Sequence, residues 1–169
     1  KPRGRRARAP GGEPMNISYK IVSDTVTPDL KARLARVQNP EPALRRMGMA
    51  LVNHARQAFT VPSKRPAPWP ELSPGTLAKK KKKGYGSKPL IASGMLARSP
   101  RVISVTRNEV VVGSDRAAGP YSLAAIHQLG APRRHIPARP FFPFLNGQTM
   151  PEAQAQVAAI LRSWLNSGR

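Results

Sequence analysis

From Asn16 to Ser23 the residues Ile17, Tyr19 and Ile21 fall on one side of an extended chain and Ser18, Lys20 and Val22 on the other, the two-residue period of a half-buried strand. The period then lengthens. Thr27 is placed to cap a helix with Pro28 in its first position and Asp29 near its positive end, and Leu30, Leu34 and Val37 form one apolar stripe. Asn39 and Pro40 repeat the start signal. Beyond them Leu44, Met47, Leu51, Ala55, Ala58 and Phe59 recur at spacings of three and four, which predicts the longest amphipathic helix of the chain.

The pattern lapses between Thr60 and Leu90. Five prolines precede Lys79, five consecutive lysines follow, and Gly84-Tyr85-Gly86 makes a turn, so a long projecting loop is expected over 60–90. Alternation returns at Val102–Thr106 and Glu109–Gly113, two valine-rich strands joined by Arg107-Asn108 as a hairpin. Tyr121 to Leu129 spans two helical turns, stopped by Gly130 and Pro132. Arg133 to Phe144 is proline-rich and is expected to run extended over the surface. Thr149 with Glu152 predicts a capping box, and Ala153, Val157, Ile160, Leu161 and Trp164 line one face of a C-terminal helix over 150–166.

These elements predict an α+β fold, a small, mainly antiparallel β-sheet packed against a long N-terminal helix and a C-terminal helix. The 169 residues suffice for one domain with its own core, expected over 15–169, with a basic flexible arm over 1–14.

Charge adds a second theme. Twenty-nine Lys and Arg against eight Asp and Glu give a net charge of +21, which attracts polyanions and opposes self-association. The arm contributes Arg3, Arg5, Arg6 and Arg8, and the loop contributes Lys79, Lys80, Lys81, Lys82 and Lys83, all candidates for contact with phosphates. Aromatics near them are sparse, so any nucleic-acid binding by these segments is expected to be non-specific. No apolar run reaches the roughly 18 residues of a membrane span, and the basic start lacks the apolar centre of a signal peptide, so no membrane association is expected.

Candidate catalytic chemistry is thin. His54, His127 and His135 show no metal-ligand spacing, there is no cysteine, and the glycines of Lys83–Lys88 lack the order of a phosphate-binding loop. A non-enzymatic protein without metal or cofactor is expected.

Three segments in fixed order are distinctive. The first is Trp69-Pro70-Glu71-Leu72-Ser73-Pro74 with Thr76-Leu77. The second is Pro89-Leu90-Ile91-Ala92-Ser93-Gly94-Met95-Leu96, leading into the hairpin with Val110-Val111-Val112-Gly113-Ser114. The third is Tyr121, then Ala125-Ile126-His127-Gln128-Leu129-Gly130 and Ile136-Pro137-Ala138-Arg139-Pro140-Phe141. Together they resemble the phage virion morphogenesis family, the tail-completion proteins of Mu-like and P2-like tailed bacteriophages. In two places the chain departs from the family pattern, at Ser122-Leu123-Ala124 and at Ala131-Pro132-Arg133-Arg134, which leaves the conformation of that loop open.

The resemblance implies a structural protein of the virion neck, made in the host cytoplasm and placed at the head-tail junction. It implies a ring, six-fold like the tail tube, that meets the connector or stopper and the tube, with genomic DNA passing nearby. The residues that carry it are Trp69, Leu72, Leu90, Gly94, Leu96, Tyr121, His127, Gln128, Gly130, Pro137, Arg139, Pro140 and Phe141. Trp69 reads either as an anchor for its own loop or as an anchor in a neighbouring subunit. Arg139 is a candidate for pairing with another protein's carboxylate. Phe141, Phe142 and Phe144 are three of the four phenylalanines, and in an extended segment they cannot all face one core, so at least one is expected to seek a partner surface. The alternative reading is a non-specific nucleic-acid-binding protein that uses the arm and the lysine run.

Overall fold

A computed structural model describes residues 23–24 and 26–167. The strand expected over 16–23, apart from Ser23, and the arm with Arg3, Arg5, Arg6 and Arg8 lie outside the described residues.

The first helix, α1, spans Val26–Gln38. Its cap is Asp24 rather than the expected Thr27, because the Asp24 carboxylate reaches two unpaired N–H groups, those of Val26 at 3.1 Å and Thr27 at 2.9 Å. Hydrogen bonds from the Thr27 side chain and backbone hold the Asp24 carboxyl below its ordinary range. The helix ends at Asn39-Pro40, where proline cannot continue the ladder. Pro40 itself takes the cap position of α2, Glu41–Gln57, so the expected Asn39 cap is not formed.

Helix α2 is covered on two sides. One side meets α6, Pro151–Asn166, and the other meets a hairpin of β1, Arg101–Val105, and β2, Val110–Gly113. On α2 and just after it Ala43, Met47, Ala50, Val52, Ala55, Ala58 and Phe59 are buried, while Leu44 and Leu51 of the expected stripe are half-buried. Small residues on α2 let the hairpin approach closely. A Cβ at Gly48 would stand 2.5 Å from Cγ2 of Val110 and 3.1 Å from Cγ2 of Val102. We therefore expect Gly48→Ala to destabilise despite the better helix propensity of Ala, worth about 1 kcal/mol. Overpacking of the hairpin costs about 1–3 kcal/mol and sets the sign. A chemical denaturation curve measures it, and a stabilised variant would refute the close approach.

The apolar stripe of α1 is not core. Leu30, Leu34 and Val37 are each more than half exposed, at 58%, 56% and 60%. Helix α1 touches α6 only along one side, where Arg36 Nη1 donates to Leu165 O at 3.3 Å.

Among the described residues the strands form three separate two-stranded antiparallel ladders rather than one sheet. Besides β1–β2 they are β3, Ala117–Ala118, with β4, Tyr121–Ser122, and β5, Phe144–Leu145, with β6, Gln148–Thr149. Tyr121 therefore lies in a short strand and not in the helix expected from it. That helix, α5, spans Leu123–Leu129, with Ser122 Oγ accepting from Ala125 N at 3.3 Å. Thr149 likewise belongs to a strand, so no capping box forms. Met150 caps α6, and Glu152 pairs with Lys64.

The segment 60–90 holds more order than a loop. It contains a 3-10 turn at Pro62–Lys64 and a helix, α3, over Pro74–Lys82, started by Ser73 Oγ accepting from Thr76 N and by Pro74. Lysine is a good helix former, and the capped start outweighs the repulsion along the run. A short helix, α4, covers Met95–Arg98 after Gly94, whose φ of 74° makes the expected turn. The result is an α+β chain.

The larger correction concerns Arg133–Phe144. A 3-10 turn at Pro132–Arg134 and a bridge between Ala131 and Ile136 fold the chain back, and Arg139 to Pro143 then enter the interior. Phe141 is fully buried and Phe142 is 5% exposed. They join Ala55, Ala58, Phe59, Trp69 and Ala124 in one cluster. The rings run as a chain, Trp69 edge-on to Phe59 at 5.7 Å, Phe59 to Phe141 at 4.9 Å, Phe141 to Phe142 at 4.8 Å and Phe142 stacked on Phe144 at 6.0 Å.

A latch of motif residues beside a cation-rimmed groove

Buried backbone must be hydrogen-bonded, and the segment 139–144 has no strand partner over most of its length. Gln128 supplies one. Projecting from α5, its Oε1 accepts from the N–H groups of Phe141 and Phe142, both at 3.0 Å, and its Nε2 donates to Phe144 O at 3.0 Å. A single amide side chain thus stands in for a neighbouring strand. Arg139 N donates to His127 O at 2.6 Å and fixes the same segment one residue earlier on the helix.

The Trp69 loop closes over this arrangement. Trp69 Nε1 donates to Pro140 O at 2.7 Å. Arg139 is 6% exposed and donates through Nε to Pro70 O and through Nη2 to Glu71 O, both at 2.9 Å. The Arg65 guanidinium lies over the Trp69 ring, 4.1 Å from its centre. Trp69, Phe141 and Phe142 are therefore committed to their own core and are not surface anchors. Arg139 is held by carbonyls of its own chain instead of a foreign carboxylate, because its fork matches two successive carbonyls in the loop. Of the three phenylalanines only Phe144, 41% exposed, faces outward.

Gly130 lets α5 end against this segment. Its φ of 79° and ψ of 170° suit glycine alone, and a Cβ there would stand 2.9 Å from Ala138 N. We expect Gly130→Ala to lower stability by about 1–3 kcal/mol or more. Thermal unfolding reads the change, and an unchanged midpoint would contradict it.

On the other side of the latch lies an open groove of about 700 Å³. Leu72, Leu90, Met95, Leu96, Leu123 and Ile136 supply its apolar lining, and Lys80, Arg116 and Arg139 supply positive charge. Gly94, His127, His135 and Pro137 also line it, so the motif residues that do not build the latch mostly face this groove. Leu90 holds a positive φ of 59°, which directs the chain around the rim. His127 is kept below its ordinary pKa by burial and by the nearby Arg139 charge, and its Nδ1 is buried without a hydrogen-bond partner among the described residues. Both effects favour the neutral imidazole. His54, by contrast, spends Nε2 on Lys64 O at 3.1 Å.

The lysine run does not form one stripe. Consecutive helical residues point about 100° apart, so Lys79 to Lys82 surround α3. Lys80 turns inward, its Nζ donating to Lys88 O and Ile91 O at 2.6 Å each, while Lys79, Lys81, Lys82 and Lys83 are exposed. Tyr121 is half exposed beneath the Arg134 guanidinium at 4.3 Å, away from the latch. Arg116 and Met95 carried no signal as groove residues, since nothing in their local sequence reveals that residues 95 and 116 meet. Among the described residues no cluster of acids and histidines is arranged to hold a metal.

Comparison with curated proteins and with solved structures gives no match. The phage virion morphogenesis family matches residues 22–166, a span that contains the latch, the groove and the three segments that build them. The chain belongs to the phage virion morphogenesis family, and its role is in the structure or morphogenesis of the virion.

Proposed function

We propose that the chain is a neck subunit that completes the tail and joins it to the head, working in a ring, six-fold to match the tail tube, and catalysing no reaction. The observation that carries this reading is how the motif residues are used. Trp69, Gln128, Arg139, Pro140 and Phe141 lock one buried segment in place, and their remaining neighbours face an open, charged groove. Such a scaffold suits binding by shape and charge. Exposed Leu30, Leu34 and Val37 on α1, with Phe144, supply apolar surface for ring contacts, against the repulsion of a +21 chain. Contacts run to the connector or stopper on one side and to the tail tube on the other.

Phage lacking the chain are expected to yield separate heads and tails in electron micrographs, and complementation is expected to restore joined particles with the chain at the junction. Joined, infectious particles without it would end the proposal. Exposed Lys79, Lys81, Lys82 and Lys83 favour a second, compatible role in non-specific contact with genomic DNA. A salt titration of DNA binding with these four replaced by Ser tests it, and unchanged affinity would remove it.

A further inference from the structure

The groove carries an imbalance that its own chain does not correct. Lys80, Arg116 and Arg139 line it, and none of the three forms an ion pair among the described residues. Lys80 and Arg139 are satisfied by carbonyls, which leave the positive charge uncancelled, and Arg116 reaches only Met95 Sδ at 3.5 Å. Among the described residues Glu71 is the one carboxylate in the lining, and its backbone rather than its side chain is what Arg139 holds. Burial pulls the pKa of both Lys80 and Arg139 downward, the direction expected of cations held partly out of water without an acid beside them. The same groove is lined by the apolar side chains of Leu72, Leu90, Met95, Leu96, Leu123 and Ile136.

We propose that this groove is the docking site for an extended segment of another protein that alternates apolar and acidic side chains. In an extended peptide successive side chains point to opposite sides, so one row packs on the apolar lining while acids of the other reach Arg116, with the charges of Lys80 and the buried Arg139 acting without direct contact. The inference rests on the neck reading for where that partner is found, and on the groove alone for its chemistry.

Charge argues against a second copy as the occupant. The chain has eight acids, and of those described Asp29, Glu41, Asp115 and Glu152 are paired with Arg33, Arg45, Arg101 and Lys64, while Asp24 caps α1. That leaves Glu71, inside the groove itself, and Glu109, at the tip of the β1–β2 hairpin. No two of the eight acids are closer than five positions in the sequence, so no segment of a second copy alternates acidic with apolar side chains. A nucleic-acid backbone would satisfy the cations but has no use for a floor of six apolar side chains.

The test uses the full chain and a blocked, fluorescein-labelled decapeptide of alternating Leu and Glu, followed by anisotropy. Arg116→Glu and Leu72→Glu are each expected to weaken binding at least tenfold with unchanged thermal unfolding. Lys82→Glu, the same change of charge on an exposed residue of α3 outside the groove, is expected to weaken it less than twofold. Alternating Leu-Lys and all-Glu decapeptides are expected to bind at least tenfold more weakly, and single-stranded DNA is expected not to displace the Leu-Glu probe. Equal loss in Arg116→Glu and Lys82→Glu, equal binding of the all-Glu peptide, or displacement by DNA would overturn the inference. Electron microscopy separates the two readings. Groove-specific binding by a chain absent from the neck upholds the docking site and overturns the neck role, whereas a chain present at the neck without groove-specific binding overturns the docking site alone.

Discussion

Replacing Gln128 by Ala is expected to destabilise the chain by roughly 2–6 kcal/mol, since two buried backbone donors lose their acceptor at about 1–3 kcal/mol each. The donors are the N–H groups of Phe141 and Phe142, and the Phe144 carbonyl loses its donor as well. Phe141 is fully buried, so its N–H has no bulk solvent beside it. Against a typical domain stability of about 5–15 kcal/mol the variant is expected to be marginal. Gln128→Glu separates the two halves of the interaction. It retains an acceptor for the two N–H groups but presents a carboxylate oxygen to the Phe144 carbonyl, so it is expected to be destabilised as well. Urea unfolding of both variants gives the numbers. If Gln128→Ala unfolds like the parent chain, the latch does not hold the segment.

Phe141→Ala is expected to cost about 3–5 kcal/mol, the usual range for removing a fully buried phenyl ring. For a chain of this size, that corresponds to a fall of roughly 6–20 °C in the unfolding midpoint. The ring lies between Phe59 and Phe142 at 4.9 and 4.8 Å, so its loss opens a cavity in the middle of the aromatic row. Phe144→Ala is the contrasting variant. Its ring is 41% exposed and stacks on Phe142 at the end of the row, so stability is expected to fall by only about 1 kcal/mol. If the neck reading is right, Phe144→Ala is expected to lower the yield of joined particles while the purified chain stays folded. Differential scanning calorimetry reads the first expectation and particle counts read the second. Equal destabilisation by the two variants would contradict the burial difference.

Local elements with a strong period were legible in advance. The helix from Glu41, the β1–β2 hairpin and the C-terminal helix follow from spacings of three and four or of two, and Gly94 and Gly130 occupy turns that require positive φ. The helix starts were less legible, because α1 already begins at Val26, where Asp24 accepts from the N–H groups of Val26 and Thr27 and leaves Thr27 inside the first turn. The reading of Arg139 erred for a related reason. Scarcity of acids suggested a foreign carboxylate, but the N–H donors of Arg139 are met by two carbonyls that only the fold brings near. The groove was legible only in part. Its motif residues were singled out by resemblance, whereas Lys80, Met95 and Arg116 meet there through contacts between residues far apart in the chain.

What the sequence determined by itself is the family, the α+β character and the surplus of positive charge, because these depend on residue types and their local spacing. The tertiary structure decided the fate of the stretch from Tyr121 to Phe144. Its prolines and phenylalanines look like a surface arm, yet the part from Arg139 to Pro143 is interior, because Gln128, Trp69 and Arg139 satisfy its backbone polar groups and the adjoining loop carbonyls, and so remove the main cost of burying it. That exchange of partners takes place between residues as many as 71 positions apart, and no local pattern encodes it.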